Sequence, residues 1–313
     1  MEMRKIGSLK ISVIGIGCNN FGKRVDSEGT KSVISAALDA GINFFDTADI
    51  YGGTLSEEYL GKALSGRRGD AVIATKFGMP LDEVRKGAKP AYIRQAVEDS
   101  LKRLGTDYID LYQLHQPDQD TPISETLEAL DRLVQVGKVR EIGCSNFTAA
   151  QLDEALKCQS SVKSRFESVQ NEYSLLQRSA ESEVLPACKR HGIAFIPFFP
   201  LSSGLLTGKY KASDPLPTSG RFGPQGWGRS MYSQQNLEIV ERLASHASTM
   251  GMTMLELSFS WLLSQPCIAS VIAGAMTAEQ VVLNATAFKR RLTTGEIGEI
   301  ASLLNQGRSR MGA

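Results

Sequence analysis

The sequence is poor in the residues from which metal and disulfide sites are built. Its five cysteines, Cys18, Cys144, Cys158, Cys188 and Cys267, include no C-x-x-C pair, and an odd count does not close a disulfide framework. Its three histidines, His115, His191 and His246, show no metal-pair spacing, so no metal site is expected. A charge excess is missing too: 35 lysines and arginines against 34 aspartates and glutamates leave a net charge of +1. No basic block of five occurs, Lys289-Arg290-Arg291 being the densest cluster, so neither nucleic acid nor an anionic membrane is an expected partner. Long apolar runs are also lacking. Ile193–Leu206 is interrupted by prolines, and Met1–Lys5 has no signal-peptide core. A soluble cytoplasmic protein is expected, with nothing to indicate its oligomeric state.

What is present is glycine, 29 of 313 residues, and a 42% hydrophobic share, a globular composition with room for one large α/β domain or two ordinary ones. Short runs rich in Val, Ile and Phe alternate with longer segments of helical period. Strands are predicted at Ile14–Gly17, Phe44–Asp46, Val72–Lys76, Ile109–His115, Glu141–Ser145, Ser168–Gln170, Ala194–Pro200 and Val271–Ala273. Helices are predicted at Thr30–Ala40, Ser56–Leu64, Pro90–Leu104, Ile123–Val136, Ala149–Lys157, Glu181–His191, Gln235–Met250 and Ala278–Ala287, with a last one at Thr294–Leu304. Gly41, Gly66, Gly105, Gly137 and Gly192 follow periodic segments as helix stops. Met3–Ser12, with Gly7-Ser8 between two alternating stretches, reads as a hairpin.

This alternation predicts an α/β fold, a (β/α)8 TIM barrel with an N-terminal β-hairpin and a long loop after its seventh strand. The rival, a doubly wound sheet, should open with G-x-G-x-x-G running straight into a helix. Here Gly15 and Gly17 are followed by Gly22, two residues late, and then by a loop. Successive predicted strand ends lie about one βα unit apart, roughly 30 residues, except before the last strand, where Pro200–Ser233 forms a long insertion rich in Gly, Pro and Ser. Residues 1–313 read as a single domain.

Barrel chemistry sits at the C-terminal ends of strands. Those ends carry Asp46, Lys76 and His115 in succession, with Tyr51 five residues past Asp46. A tyrosine hydroxyl, with a pKa near 10, needs a neighbouring cation to exchange protons near neutrality. A carboxylate offsets the burial of that cation, and a neutral histidine can donate to a carbonyl oxygen. Singly, each residue fits a cap, an ion pair or a packed side chain. Together they form a proton-transfer set, with Tyr51 as general acid/base, Lys76 as its tuner, Asp46 as the lysine's partner and His115 as the carbonyl anchor.

Several ordered motifs covering nearly the whole chain resemble the aldo-keto reductase family. They are Gly41-Ile-Asn-Phe-Phe-Asp-Thr-Ala-Asp-Ile-Tyr51-Gly, Ile73-Ala-Thr-Lys76, Asp107-Tyr-Ile-Asp-Leu-Tyr-Gln-Leu-His115, Lys138 to Phe147, Val169 to Tyr173, and Gly204-Leu-Leu-Thr-Gly-Lys209. The resemblance implies a (β/α)8 barrel, a nicotinamide cofactor bound without a Rossmann domain, and the catalytic set Asp46, Tyr51, Lys76 and His115. It implies that Ser145, Asn146 and Gln170 meet the nicotinamide carboxamide and that Phe198 stacks on the ring, where many members carry Tyr. Pro200, Leu201, Ser203, Gly204, Leu206 and Lys209 fall along the loop that would fold over the pyrophosphate, and Gly274, Met276, Gln280 and Asn284 at the adenosine phosphate. Met276 stands where a small hydroxyl or a basic residue is common, and no Arg or Lys lies between Ile268 and Phe288. NADP is therefore expected with NAD still open, and Lys209, Arg221 and Arg229 are alternative sources of charge.

The implied function is reduction of a small aldehyde or ketone to an alcohol by hydride transfer. Phe21, Phe77, Phe147, Trp227 and Tyr232 are candidate pocket walls. A second reading is a cofactor-binding regulatory subunit with incidental turnover, as the related potassium-channel β subunits suggest. A third, a two-carboxylate barrel hydrolase using Asp46 and Asp110, is weaker because no second carboxylate sits convincingly at the same rim.

Overall fold

A computed structural model describes residues 1–158, 162–226 and 228–306. The chain divides into two compact units. The first comprises Met1–Asn171, Ala180–Phe198 and Cys267–Ala285, and the second Glu172–Ser179, Phe199–Pro266 and Thr286–Ala313.

The first unit opens with a hairpin, β1 (Met3–Ile6) and β2 (Leu9–Ser12), turned at Gly7 with its φ of 54°. Alternation decides its faces: Ile6, Leu9 and Ile11 are buried while Lys5 and Lys10 are exposed. The apolar face joins Phe44, Ala74, Leu111, Ile196 and Ile272 in one core cluster. Each fully buried Ile, Leu or Phe side chain there contributes about 1.5–3 kcal/mol. The hairpin's polar contacts reach Asn43, Glu141 and the Ile268 carbonyl, which precede or begin barrel strands, so it caps their N-terminal mouth.

Eight parallel strands follow: β3 (Ile14–Gly17), β4 (Phe44–Asp46), β5 (Val72–Phe77), β6 (Ile109–Leu114), β7 (Val139–Ser145), β8 (Phe166–Glu172), β9 (Ala194–Phe198) and β10 (Val271–Gly274). Their order is β10-β3-β4-β5-β6-β7-β8-β9, sequential apart from β10 returning beside β3. The sheet closes where the Phe195 N–H donates to the Cys267 carbonyl at 2.7 Å and the Ala269 N–H to the Phe195 carbonyl at 2.9 Å. This is the expected (β/α)8 barrel. Its helices are α1 (Ser27–Asp39), α2 (Leu55–Ala63), α3 (Pro90–Leu104), α4 (Ile123–Gln135), α5 (Ala149–Lys157) and α6 (Val184–His191). In α3, proline occupies the first turn, where no N–H is needed. Its Ile93, Ala96, Val97, Ser100, Leu101 and Leu104 form one buried stripe, and Gly105, at φ 62°, ends it in a left-handed cap.

The second unit holds the long insertion, whose backbone turns through left-handed values at Ser202, Ser203, Gly204 and Gly208. Tyr210, Phe222 and Tyr232 pack there as three mutually contacting rings, with centroids 5.1–5.6 Å apart. Its helices are α7 (Gln234–Thr249), α8 (Met254–Ser264) and α10 (Thr294–Gln306), while α9 (Ala278–Ala285) belongs to the first unit.

Two departures from expectation have physical reasons. β9 stops at Phe198, short of Pro200, because Phe199 turns to φ 50° and leaves the sheet. α8 was not predicted at all. Nearly every residue of Met-Leu-Glu-Leu-Ser-Phe-Ser-Trp-Leu-Leu-Ser is buried, so it has no polar face to mark a helical period.

Candidate active site

Parallel strands deliver their C-terminal ends to one rim. Asp46 is the last residue of β4, Lys76 lies one before the end of β5, and His115 follows β6, its N–H donating to the Phe77 carbonyl at 2.9 Å. Tyr51 opens a short turn completed by Gly52 and Gly53, both left-handed at φ 60° and 64°. A Cβ on Gly52 would lie 2.4 Å from the Phe21 carbonyl, so glycine lets the turn seat against the loop after β3. The Ser56 hydroxyl pins the same loop, donating to the Cys18 carbonyl at 2.9 Å and lying 2.8 Å from the Thr47 hydroxyl.

The four predicted residues are brought together. The buried Lys76 Nζ donates to Asp46 Oδ2 at 2.6 Å and to the Thr47 carbonyl at 2.8 Å. It also lies 5.1 Å from the centre of the Tyr51 ring, which meets His115 edge-on at 5.8 Å. Burial pulls the Lys76 pKa down, but the charge of Asp46, then that of Tyr51, and hydrogen bonds to both raise it above its ordinary value. Burial also pushes the Tyr51 hydroxyl up, and the Lys76 charge opposes this without reversing it. At neutral pH the pair is therefore phenol and ammonium. His115 is lowered to about 3, by burial first and then by Lys76, so its imidazole is neutral. Its Nδ1 is buried and has no partner among the described residues.

Three further groups here escaped the reading of the sequence. Gln113 faces the barrel interior and donates to Asp46 Oδ1 at 3.3 Å, a polar residue in an otherwise apolar run being the available signal. Glu57 is buried, accepting from Thr75 Oγ1 at 2.5 Å and from Arg103 Nε at 2.6 Å. Asp49 is buried, and neither carboxyl oxygen makes a hydrogen bond of good geometry among the described residues. Its pKa is raised to about 7, by burial first and by the Glu57 charge second.

Of the residues assigned to cofactor, eight lie in the first unit. The Ser145 hydroxyl, at the end of β7, donates to the Gln170 carbonyl at 2.8 Å. Asn146, at φ 62°, donates from Nδ2 to the His115 carbonyl at 2.9 Å and to Ser145 Oγ at 3.2 Å. Gln170 turns its amide onto Asp46 Oδ1 at 2.8 Å. Phe198 ends β9, half-buried. These amides and hydroxyls, with an aromatic face on the same strand ends, suit a planar ring bearing a carboxamide, which offers one acceptor and two donors. Gly274 ends β10, the Met276 N–H donates to Gln280 Oε1 at 2.9 Å, and Asn284 is buried in α9.

The other six lie in the second unit. Pro200, Ser203, Gly204 and Leu206 are buried, Leu201 is half-buried, and Lys209 is exposed with its ammonium 5.0 Å from the Tyr210 ring. Arg221 donates to the Ser203 carbonyl at 3.3 Å and Arg229 to that of Phe222 at 2.9 Å.

Phe21, Phe77, Phe147 and Tyr232 are interior anchors, Phe77 stacking on Tyr112 at 4.7 Å; Trp227 lies outside the described residues. Asp110 lies at the N-terminal end of β6, clamped by Arg68 at 2.6 Å and Arg140 at 2.9 Å, so Asp46 and Asp110 are at opposite ends of the barrel. That removes the two-carboxylate reading. Among the described residues, no cluster of His, Cys, Asp and Glu could hold a metal, and no helix is long and apolar enough to cross a membrane.

The chain is 38% identical to the uncharacterized oxidoreductase YqkF of Bacillus subtilis, over 98% of this chain and 97% of that one. It is 35% identical to a probable voltage-gated potassium channel subunit beta of Oryza sativa, over 91% and 90%. It is 33% identical to the aldo-keto reductase yakc [NADP(+)] of Schizosaccharomyces pombe, over 95% and 89%. The family model described as the aldo/keto reductase family matches residues 13–305, and the protein belongs to that family of oxidoreductases.

Proposed function

We propose that the chain, acting as one domain, reduces aldehydes or ketones with a nicotinamide cofactor, NADPH in first place. The observation that carries this is the buried Lys76 ammonium between Asp46 and Tyr51, beside a neutral His115. Bound in this site, the nicotinamide would supply the hydride. The protein's part is proton delivery and orientation. A neutral imidazole can donate to the substrate oxygen without competing for its proton. Tyr51, protonated at neutral pH, then transfers its hydroxyl proton to the developing alkoxide. The phenolate left behind is stabilised by Lys76, whose own charge is balanced by Asp46. Ser145 and Asn146, with Gln170 beside them, are assigned to the carboxamide, Phe198 to the ring face, the Pro200–Lys209 segment to the phosphates, and Gly274, Met276, Gln280 and Asn284 to the adenosine end.

Tyr51→Phe should lower kcat by at least about 10²–10⁴-fold, the worth of a positioned proton donor, and leave cofactor affinity within several-fold. Steady-state kinetics with a carbonyl panel, together with cofactor fluorescence titration, measure both. Turnover like the wild type's would remove Tyr51 from the role. The potassium-channel relative supports a second reading, a regulatory subunit that binds cofactor. Tight cofactor binding without turnover of any carbonyl in the panel would favour it.

A further inference from the structure

Asp46 is held by more than its lysine. Oδ2 faces Lys76, but Oδ1 receives two amide donors, Gln170 Nε2 at 2.8 Å from β8 and Gln113 Nε2 at 3.3 Å from β6. All three residues are at most 2% exposed. Gln113 is the register partner of Lys76 in the β5–β6 pair, so the amide and the ammonium enter the barrel side by side. Gln170 is fixed by its backbone, whose carbonyl accepts from Ser145 Oγ at 2.8 Å and from the Asn146 N–H at 3.0 Å. Chemistry sets the sense of the Gln113 amide: turned over, its oxygen would oppose a carboxylate oxygen.

The amides matter because a carboxylate this deep is costly, and one cation at one oxygen leaves the other undersolvated. Two neutral donors at Oδ1 complete its shell without adding a charge that would compete with Lys76 for Asp46. With both oxygens engaged, the carboxylate plane is fixed and Oδ2 points at Nζ. We propose that Gln113 is a positioning residue of the oxidoreductase reaction, acting through Asp46 to hold the Lys76 ammonium against Tyr51. This rests on the catalytic reading of the four residues and adds a fifth that touches neither substrate nor cofactor.

Two substitutions test it. Gln113→Leu removes the donor with little change in volume, and Gln113→Glu keeps the shape while placing a second carboxyl on Asp46. Gln113→Leu should lower kcat about tenfold and move the basic limb of the kcat–pH profile down by roughly one pH unit, the usual scale for a lost bond to a charged group. KM and cofactor Kd should stay within threefold. In Gln113→Glu the two carboxyls must share a proton, so activity should fall through a new ionisation as pH rises.

Unfolding by urea at pH 5 and pH 8 supplies a readout independent of turnover. Gln113→Glu should lose markedly more stability at pH 8, and that difference should vanish in an Asp46→Asn background. Wild-type kcat–pH profiles in both variants, with only a lowered melting temperature, would make Gln113 a packing residue and overturn the proposal. Should the wild type turn over no carbonyl, the catalytic reading fails instead. The unfolding cycle then still decides whether Gln113 controls the charge on Asp46, and absence of the Asp46-dependent pH difference overturns the proposal there too.

Discussion

Asp49 shows how sharply burial acts on a single residue. It stands between Asp46 and Tyr51, among Glu57, Arg103, Tyr92, Tyr112 and Lys76, and ionising it adds a second buried carboxylate to a cluster where Arg103 already serves Glu57. Its folded pKa, about 7, lies above its ordinary value. Below pH 4 both folded and unfolded chains carry the proton; between about 4 and 7 only the folded chain does. Stability contributed by the protonated form is therefore lost as pH rises through that window, on the order of 4 kcal/mol in all. His115 acts in the opposite sense: its folded pKa is depressed to about 3, so its contribution is lost as pH falls below 6.5. Asp49→Asn should abolish the first slope and unmask the second. Urea unfolding should show the variant gaining most over the wild type above pH 7, with stability rising between pH 4 and 6.5. Parallel pH curves for the two proteins would count against it. Residues at this scale were readable where chemistry coincided with position. Asp46, Lys76 and His115 stand at or beside the C-terminal ends of consecutive strands, whereas Asp49, Glu57 and Gln113 are informative only through partners contributed by other elements.

At the scale of elements, periodicity was a good guide wherever one face meets solvent. The α3 and α5 helices have the bounds their patterns predict; so do β3 and β4, which are buried on both faces and read instead as short apolar runs. It failed for α8, whose Trp261 packs on Tyr173 at 5.2 Å inside the second unit. The contact of α2 with α3 contains a test in which two principles disagree. Gly61 lies within α2, where alanine would gain about 1 kcal/mol of helix propensity. A Cβ there would lie 2.4 Å from the Leu104 carbonyl, a backbone atom that cannot rotate away. Overpacking of this kind costs typically 1–3 kcal/mol, so Gly61→Ala should destabilise on balance. A thermal melt checks the sign, and a raised Tm would mean that the helices part freely.

For the whole molecule, near-neutrality leaves no general positive field to draw a dinucleotide. Phosphate recognition must be local, and the Gly274–Ala285 segment carries no cation. Met276 is exposed there, its backbone N–H tied to Gln280. Met276→Arg should therefore raise NADPH affinity about tenfold, the scale of one charge-assisted contact, and leave NADH within twofold. Fluorescence titration with both cofactors measures it, and equal gains for the two would place Met276 away from the 2′-phosphate. The barrel itself was legible because each βα unit repeats the same strand-to-strand step. The partition of the insertion, α7, α8 and α10 into a second unit was not, since it depends on contacts between residues far apart in the chain.

The hydrogen bonds around Asp46 also bear on how the chain matures. The carboxylate draws its donors from positions 30, 67 and 124 residues away along the polypeptide. Contacts that distant close late, because loop entropy must be overcome first. During refolding, the first barrel strands can align while Asp46 still depends on water for its unmet bonds, and its shell is complete only when β8 docks. Recovery of a working proton donor should thus lag behind recovery of secondary structure, making activity a clock for the final closure of the barrel.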